Sequence, residues 1–125
     1  MRVQQPVRAG SSRIDPIDAA FDRFRTQDSG LYFGASLAAL AHLAGRRGYR
    51  LVGSNLAGND AFFIRDDVAA DLVSLTALEA WNESRFREAR DLDGRLTYRP
   101  AHRSIIAALP LVDVSSGESL TVGEI

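Results

Sequence analysis

One stretch of the chain, residues 36–65, constrains the fold more than any other. It opens with Ser36, which is placed to cap a helix N-terminus, and it passes through glycines at Gly45 and Gly48 that favour a helix end. Between them, apolar residues follow the i, i+3, i+4, i+7 spacing of a helix face: Leu37, Leu40, Ala41 and Ala44. Because Leu43 widens this apolar stripe, we predict a helix that is buried on more than one side.

Two strand-like segments follow the predicted helix directly. Tyr49–Ser54 and Ala61–Arg65 are rich in β-formers, and the chain between them is rich in turn residues. Two strands joined by so short a loop are expected to pair as an antiparallel hairpin. Asp66 and Asp67 then favour a short helix, because acidic side chains stabilise a helix N-terminus.

The remainder gives weaker signals, and its 125 residues fit one domain, with an N-terminal segment (1–30) and a main α/β unit (31–125). For the N-terminal segment we predict a strand at Arg2–Val7 and irregular chain over Ser11–Gly30, with a helical turn at Phe21 and Phe24. For the main unit we predict an amphipathic helix at Ala69–Leu78, followed by a charged surface segment at Trp81–Arg99 with a turn at Asp91–Gly94. A short helix is predicted at Ser104–Leu109. The chain then forms a small hairpin of Leu111–Val114 with Leu120–Val122.

Composition excludes several classes of protein. The chain has no cysteine, which removes disulfides and thiolate metal sites and fits a reducing cytoplasm. A net charge of −1 disfavours a general nucleic-acid binder, and no apolar run approaches the length of a membrane span. All 15 basic residues are arginine. This reflects either codon bias or anion binding through guanidinium groups.

The loop Gly30–Ser36 is the first candidate binding segment. Gly34 lets the backbone approach a ligand closely, and the helix start at Ser36 offers free N–H groups to an anion. Tyr32 and Phe33 would then contact the ligand. In the alternative, the two aromatic side chains pack in the interior and Gly34 only makes the turn.

Asn55 and Asn59 are the second candidates, because they flank the hairpin loop at the end of a strand, where α/β proteins place ligands. In the alternative, their side chains cap the backbone of the turn. No catalytic or metal-binding residue is predicted. His42 and His102 are far apart and lack the spacing of known metal motifs.

Four runs of sequence together resemble a known family. They are YFGASL at 32–37, GYRLVGSN at 48–55, GNDAFFIR at 58–65 and LPLVDV at 109–114. These runs look like the C-terminal portion of FkbM-type, S-adenosylmethionine-dependent methyltransferase-like proteins, over residues 31–125. Two positions depart from the family pattern: Ser54 stands where cysteine is usual, and Asp60 where asparagine is usual.

The resemblance implies a class I methyltransferase fold with a Rossmann-like sheet, of which this chain holds the last helix and the last two strands. In that fold the last strand inserts antiparallel, in agreement with the hairpin. No residue matches the family's glycine-rich cofactor loop or the acid that binds the cofactor ribose. The α/β unit is therefore expected to be incomplete, with Arg2–Val7 as a substitute for the strand before the last helix.

The functional expectation follows from this missing half. We expect the C-terminal portion of a methyltransferase-like protein, inactive alone, that supplies a substrate-side or oligomer surface in the cytoplasm. The alternative is a small-molecule-binding or protein-interaction module of a biosynthetic pathway without catalysis. No cofactor is expected for the isolated chain; S-adenosylmethionine would bind if another chain or segment supplied the cofactor half. A homo-oligomer or a methyltransferase-like partner chain is expected, and nucleic acid and membrane are not.

Overall fold

The structure, a computed structural model, describes residues 13–14, 19–69, 71–84, 90–91, 93–97 and 103–125. These residues form a mixed α/β fold with two small antiparallel sheets. The elements in chain order are β1 (Arg13–Ile14), α1 (Arg23–Thr26), α2 (Leu37–Gly45), β2 (Tyr49–Ser54), β3 (Ala61–Arg65), β4 (Pro110–Asp113) and β5 (Ser119–Thr121). Short 3-10 turns occupy Asp66–Val68, Arg103–Ile106 and Val122–Glu124.

The predicted helix and hairpin are confirmed with their predicted bounds. Ser36 caps α2, since its Oγ accepts a hydrogen bond from the Ala39 N–H at 3.1 Å. β2 and β3 pair antiparallel, with Leu51 opposite Phe63, and the register shifts between Leu51 and Gly53. That shift is a β-bulge, which bends the hairpin locally.

Helix α2 lies between the two sheets, which explains why it is apolar on more than one side. Leu37 packs with Leu51 of β2 and with Ala61 of β3. On another side of the helix, Leu40 clusters with Val114, which follows β4. Leu40 is 2% exposed, so its burial contributes on the order of 2 kcal/mol. The prediction of burial on two sides is confirmed.

The second sheet joins the two ends of the described chain. β4 pairs antiparallel with β5, which confirms the C-terminal hairpin, and β1 pairs antiparallel with β4. The prediction of irregular chain over Ser11–Gly30 is therefore wrong at β1. The helical turn predicted at Phe21 and Phe24 is confirmed at Phe24, which lies in the four-residue helix α1 that Asp22 caps. The strand predicted at Arg2–Val7 lies outside the described residues. All strand pairs among the described residues are antiparallel, and β1 lies in a different sheet from β2 and β3.

The helix predicted over Ala69–Leu78 is wrong in the part the structure describes. This segment runs beside β2 instead, where the Leu75 N–H donates to the Leu51 carbonyl at 2.9 Å. The three-residue spacing of leucines misled the prediction, because Leu78 is 72% exposed and only Leu75 packs on the core. Because α2 covers the apolar core, a second helix at Ala69–Leu78 would have no further apolar surface to bury.

A single capped turn replaces the C-terminal part of that predicted helix. Thr76 and Glu79 form reciprocal hydrogen bonds: the Glu79 carboxylate accepts from the Thr76 N–H at 2.8 Å, and the Glu79 N–H donates to the Thr76 hydroxyl at 3.2 Å. This is the capping-box arrangement. The helix predicted at Ser104–Leu109 is likewise shorter, a 3-10 turn at Arg103–Ile106 that ends before Pro110 opens β4.

Candidate functional site

The Asn55 side chain organises the tip of the β2–β3 hairpin. Its Oδ1 accepts hydrogen bonds from the backbone N–H groups of Asn59 (3.1 Å) and Asp60 (3.2 Å). Its Nδ2 donates to Asn59 Oδ1 at 2.7 Å and to Asp60 Oδ2 at 2.9 Å. Both N–H groups and both acceptor positions of the Asn55 amide are thus committed to the loop itself, as the turn-capping alternative requires.

The Gly30–Ser36 loop is also held from within. Tyr32 is 4% exposed, packs against Leu111 and Val122, and donates its hydroxyl proton to the Pro110 carbonyl. Its ring also meets the Phe21 ring edge-on, with centroids 6.1 Å apart. These contacts place Tyr32 in the interior beneath the C-terminal hairpin.

Phe33 and Gly34 lie at the outer part of the same loop. Gly34 has a φ of +88°, a value that favours glycine, so the chain turns there before Ser36. Phe33 is half-buried, and the Arg23 guanidinium lies 4.3 Å from its ring centroid. Phe33 is therefore the one aromatic residue of the loop whose ring borders the surface.

The structure does not bring the two predicted groups of site residues together. No hydrogen bond or ring contact among the described residues joins the Asn55–Asn59 loop to the Gly30–Ser36 loop. The candidates thus remain two separate loops, one at the hairpin tip and one beneath the C-terminal hairpin.

The outer edge of β3, on the side away from β2, carries backbone groups that β2 does not bond. The Asp66 N–H donates to the Gly48 carbonyl at 2.8 Å, so the hairpin begins with a hydrogen-bonded pair. Since bonded pairs alternate in an antiparallel ladder, Ile64 bonds to β2, whereas Phe63 and Arg65 direct their N–H and C=O groups to the opposite edge. No backbone hydrogen bond within the described part of the chain reaches that edge.

Apolar side chains border this edge on the face away from α2. Phe63 packs towards the helix, so its neighbours Phe62 and Ile64 point to the other face. Phe62 is 53% exposed, and Ile64 is half-buried. Within the described residues, this strand edge thus combines unbonded backbone groups with an exposed aromatic side chain.

Charged pairs close the far end of the hairpin. Arg65 binds Asp67 with two hydrogen bonds, of 2.6 and 2.7 Å, which raises the pKa of Arg65 and lowers the pKa of the Asp67 carboxyl. Arg50 binds Asp66 at 2.7 Å. Both pairs are at the surface, so they stabilise the fold little and mainly mark the hairpin end with charge.

A cleft that sequence reasoning missed lies on another part of the surface. It is lined by Phe24, Asp28, Arg90, Asp91 and Gly94 and has a volume of about 390 Å³. Its two halves come from segments far apart in the sequence, and the predicted turn at Asp91–Gly94 is confirmed by the Gly94 N–H bond to the Asp91 carbonyl at 2.9 Å. No local sequence motif predicts the cleft, because only the fold brings its lining residues together.

No group of three or more histidine, cysteine or acidic side chains within the described ranges is arranged to hold a metal ion. No described helix has the length and apolar character needed to cross a membrane. Comparison with known proteins finds no matching family model, no matching curated protein and no matching solved structure.

Proposed function

We propose that this chain is the C-terminal part of a methyltransferase-like α/β protein and is inactive alone. Its role is to complete a Rossmann-like sheet whose cofactor half is supplied by another chain or segment. The observation that carries the proposal is the outer edge of β3, which no described residue bonds and which lies in the part of the chain with the strongest family resemblance.

The arrangement of elements supports this role. In the class I methyltransferase fold, the last strand lies antiparallel between its hairpin partner and the rest of the sheet. Here β3 pairs with β2 on one side. On its other side it leaves the N–H and C=O groups of Phe63 and Arg65 available to a further strand, which is how sheets recruit a partner.

Under this proposal, S-adenosylmethionine binds only when another chain or segment supplies the cofactor half. The loop before α2 does not fit the cofactor, since it is committed to the protein's own interior: Tyr32 bonds to Pro110, and Ser36 caps α2. The cytoplasm is the proposed location, because a chain without cysteine gains nothing from an oxidising compartment.

A substitution at Arg65 tests the edge directly. Arg65 has φ −65° and ψ +135°, values that proline adopts without strain, and its N–H points to the outer edge. Arg65→Pro should therefore remove one edge donor while it leaves the β2–β3 bonds intact. Arg65→Ala is the matched control, because it also loses the exposed pair with Asp67 but keeps the backbone N–H.

The assay is affinity capture from native cells with mass spectrometry, combined with light scattering of the purified chain. The proposal expects the wild type and Arg65→Ala to capture a chain that carries a glycine-rich, strand–turn–helix cofactor loop, and Arg65→Pro to lose it. Equal capture by Arg65→Pro, or a monomer that captures no such chain, refutes the proposal. A homodimer lost in Arg65→Pro would make a second copy the occupant of the edge.

Calorimetric titration of the isolated chain with S-adenosylmethionine tests the claim that the chain is inactive alone. We expect no heat of binding. A micromolar dissociation constant for the isolated chain would show that the cofactor site lies within it.

A protein-interaction module without catalysis is the second candidate. The exposed apolar side chains of the segment beside β2 favour it, since Val73 is 76% and Leu78 is 72% exposed. Val73→Ser with Leu78→Ser should then abolish partner capture, whereas Arg65→Pro should leave it unchanged. The opposite pattern favours the methyltransferase-like role.

A further inference from the structure

We propose that the cleft between Phe24 and Arg90 binds a small zwitterion of the α-amino acid class. This site is independent of the assembly proposed above. A ligand of this class carries a carboxylate for the Arg90 guanidinium, an ammonium group for the Asp28 carboxylate, and an apolar part for the Phe24 ring.

Packing around Phe24 fixes the wall of the cleft. Gly30 lies directly against the ring with a φ of +63°, and a Cβ at this position would come within 2.5 Å of Phe24 Cε1. The Arg23 and Arg90 guanidinium carbons lie 4.5 and 5.0 Å from the ring centroid, within cation–π range. The Arg90 N–H also donates to the Ser29 carbonyl at 3.1 Å. The arginine and the ring are thus held in place before any ligand arrives.

The Arg90 guanidinium has unused hydrogen-bonding capacity. Its Nη1 donates to the Gly94 carbonyl at 2.6 Å, and its Nε is buried without a hydrogen-bond partner. No described carboxylate lies within ion-pair distance of it, although Asp28 and Asp91 line the same cleft. Because Nε is covered and Nη1 has one bond, the second N–H of Nη1 and the two of Nη2 are the donors left for a ligand oxygen. Arginine without a carboxylate partner, fixed beside a cavity, favours a carboxylate ligand.

The charge of the described lining favours a ligand with a positive group over a simple anion. Two acids and one arginine line it within the described residues, which leaves a net charge of −1. Asp91 Oδ1 is committed to its own turn, where it accepts from the N–H groups of Asp93 (3.0 Å) and Arg95 (2.9 Å). Asp28 is exposed and binds no described residue, so its carboxylate is available to a cation. A ligand with both charges satisfies Arg90 and Asp28 together.

The size of the cleft agrees with this class. Its volume of about 390 Å³ is at the lower end of the range for small-molecule sites. A single amino acid fits such a volume, and the Phe24 ring gives its side chain an apolar contact.

The test is a titration of the intact chain by calorimetry and ligand-observed NMR with the free L-amino acids at millimolar concentrations. Leucine has two matched analogues: 4-methylpentanoate lacks the ammonium group, and 3-methylbutylamine lacks the carboxylate. For any amino acid that binds, we expect analogues of both kinds to bind at least about tenfold more weakly, as loss of one charge-assisted hydrogen bond predicts.

Two variants complete the test. Asp28→Asn should weaken binding of the amino acid by about tenfold and leave the ammonium-free analogue unaffected, because only the contact with the cation is lost. Asp71→Asn, another exposed acid, is the control and should bind as the wild type does. Absence of binding by every amino acid overturns the proposal. Unchanged affinity in Asp28→Asn, or equal affinity for the ammonium-free analogue, overturns it as well.

Discussion

Substitution of Asn55 by alanine should destabilise the fold far more than the same substitution of Asn59, although both asparagines flank one loop. Asn55→Ala removes two hydrogen bonds to backbone N–H groups and two that the amide donates. Asn59→Ala removes a single bond, the one its Oδ1 accepts from Asn55 at 2.7 Å. The two variants therefore separate a structural role from a ligand-binding role.

The expected magnitudes follow from the hydrogen-bond inventory. A neutral hydrogen bond contributes about 0.5–1.5 kcal/mol, so Asn59→Ala should cost about 0.5–1 kcal/mol. Asn55→Ala also leaves the half-buried N–H groups of Asn59 and Asp60 unpaired, and we expect a cost of about 2–3 kcal/mol. For a chain of this size, about 4 °C of melting temperature corresponds to 1 kcal/mol, so Asn55→Ala should lower it by about 8–12 °C.

Urea denaturation followed by circular dichroism measures both free energies of unfolding. Equal losses for the two variants, or a loss below about 1 kcal/mol for Asn55→Ala, would refute the turn-capping role. A stable Asn55→Ala protein that lost a ligand would instead support the binding role proposed from the sequence.

Two further predictions concern the neighbouring segments. Gly58→Ala should lower the free energy of unfolding by at least about 3 kcal/mol or detach the chain at Asn82, because Gly58 has a φ of +67° and a Cβ would lie 2.5 Å from the Asn82 carbonyl oxygen. The control Gly94→Ala, with φ +78° and nothing within 4 Å of the added Cβ, should lower it by about 1 kcal/mol. Urea denaturation measures both losses, and equal losses would contradict the contact between Gly58 and Asn82. The backbone N–H and then the hydroxyl of Thr76 hold the pKa of Glu79 below its ordinary value of 4.5, so its stabilising effect is present above that pH and is lost as the pH falls through the lowered pKa. Glu79→Gln should therefore reduce the fall in melting temperature on acidification, and an unchanged pH profile would show that the Glu79 bonds contribute nothing.

The central helix and hairpin could be predicted from sequence because their signals are local. The apolar spacing of α2, the Ser36 cap and the short loop between β2 and β3 each lie within a few residues of one another. Local signals also gave the C-terminal hairpin of β4 and β5.

The wrong or missing parts depend on contacts between distant segments. β1 is only two residues long and becomes a strand through its pairing with β4. The leucines of the segment 69–78 suggested a helix, whereas the bond between Leu75 and Leu51 draws the chain along β2. Asp28 and Arg90 line the same cleft, and no spacing in the sequence predicts this. In each case tertiary contacts, and not propensity, decide the local structure.

Amide hydrogen exchange at β3, measured for the chain alone and in its purified assembly, tests the central claim most directly. In the isolated chain, the N–H groups of Phe63 and Arg65 should exchange much faster than that of Ile64, which bonds to β2. In the assembly, Phe63 and Arg65 should become protected, because a further strand then pairs with them. If both remain unprotected in the assembly, or if both are already as protected as Ile64 in the isolated chain, the outer edge of β3 does not complete a larger sheet.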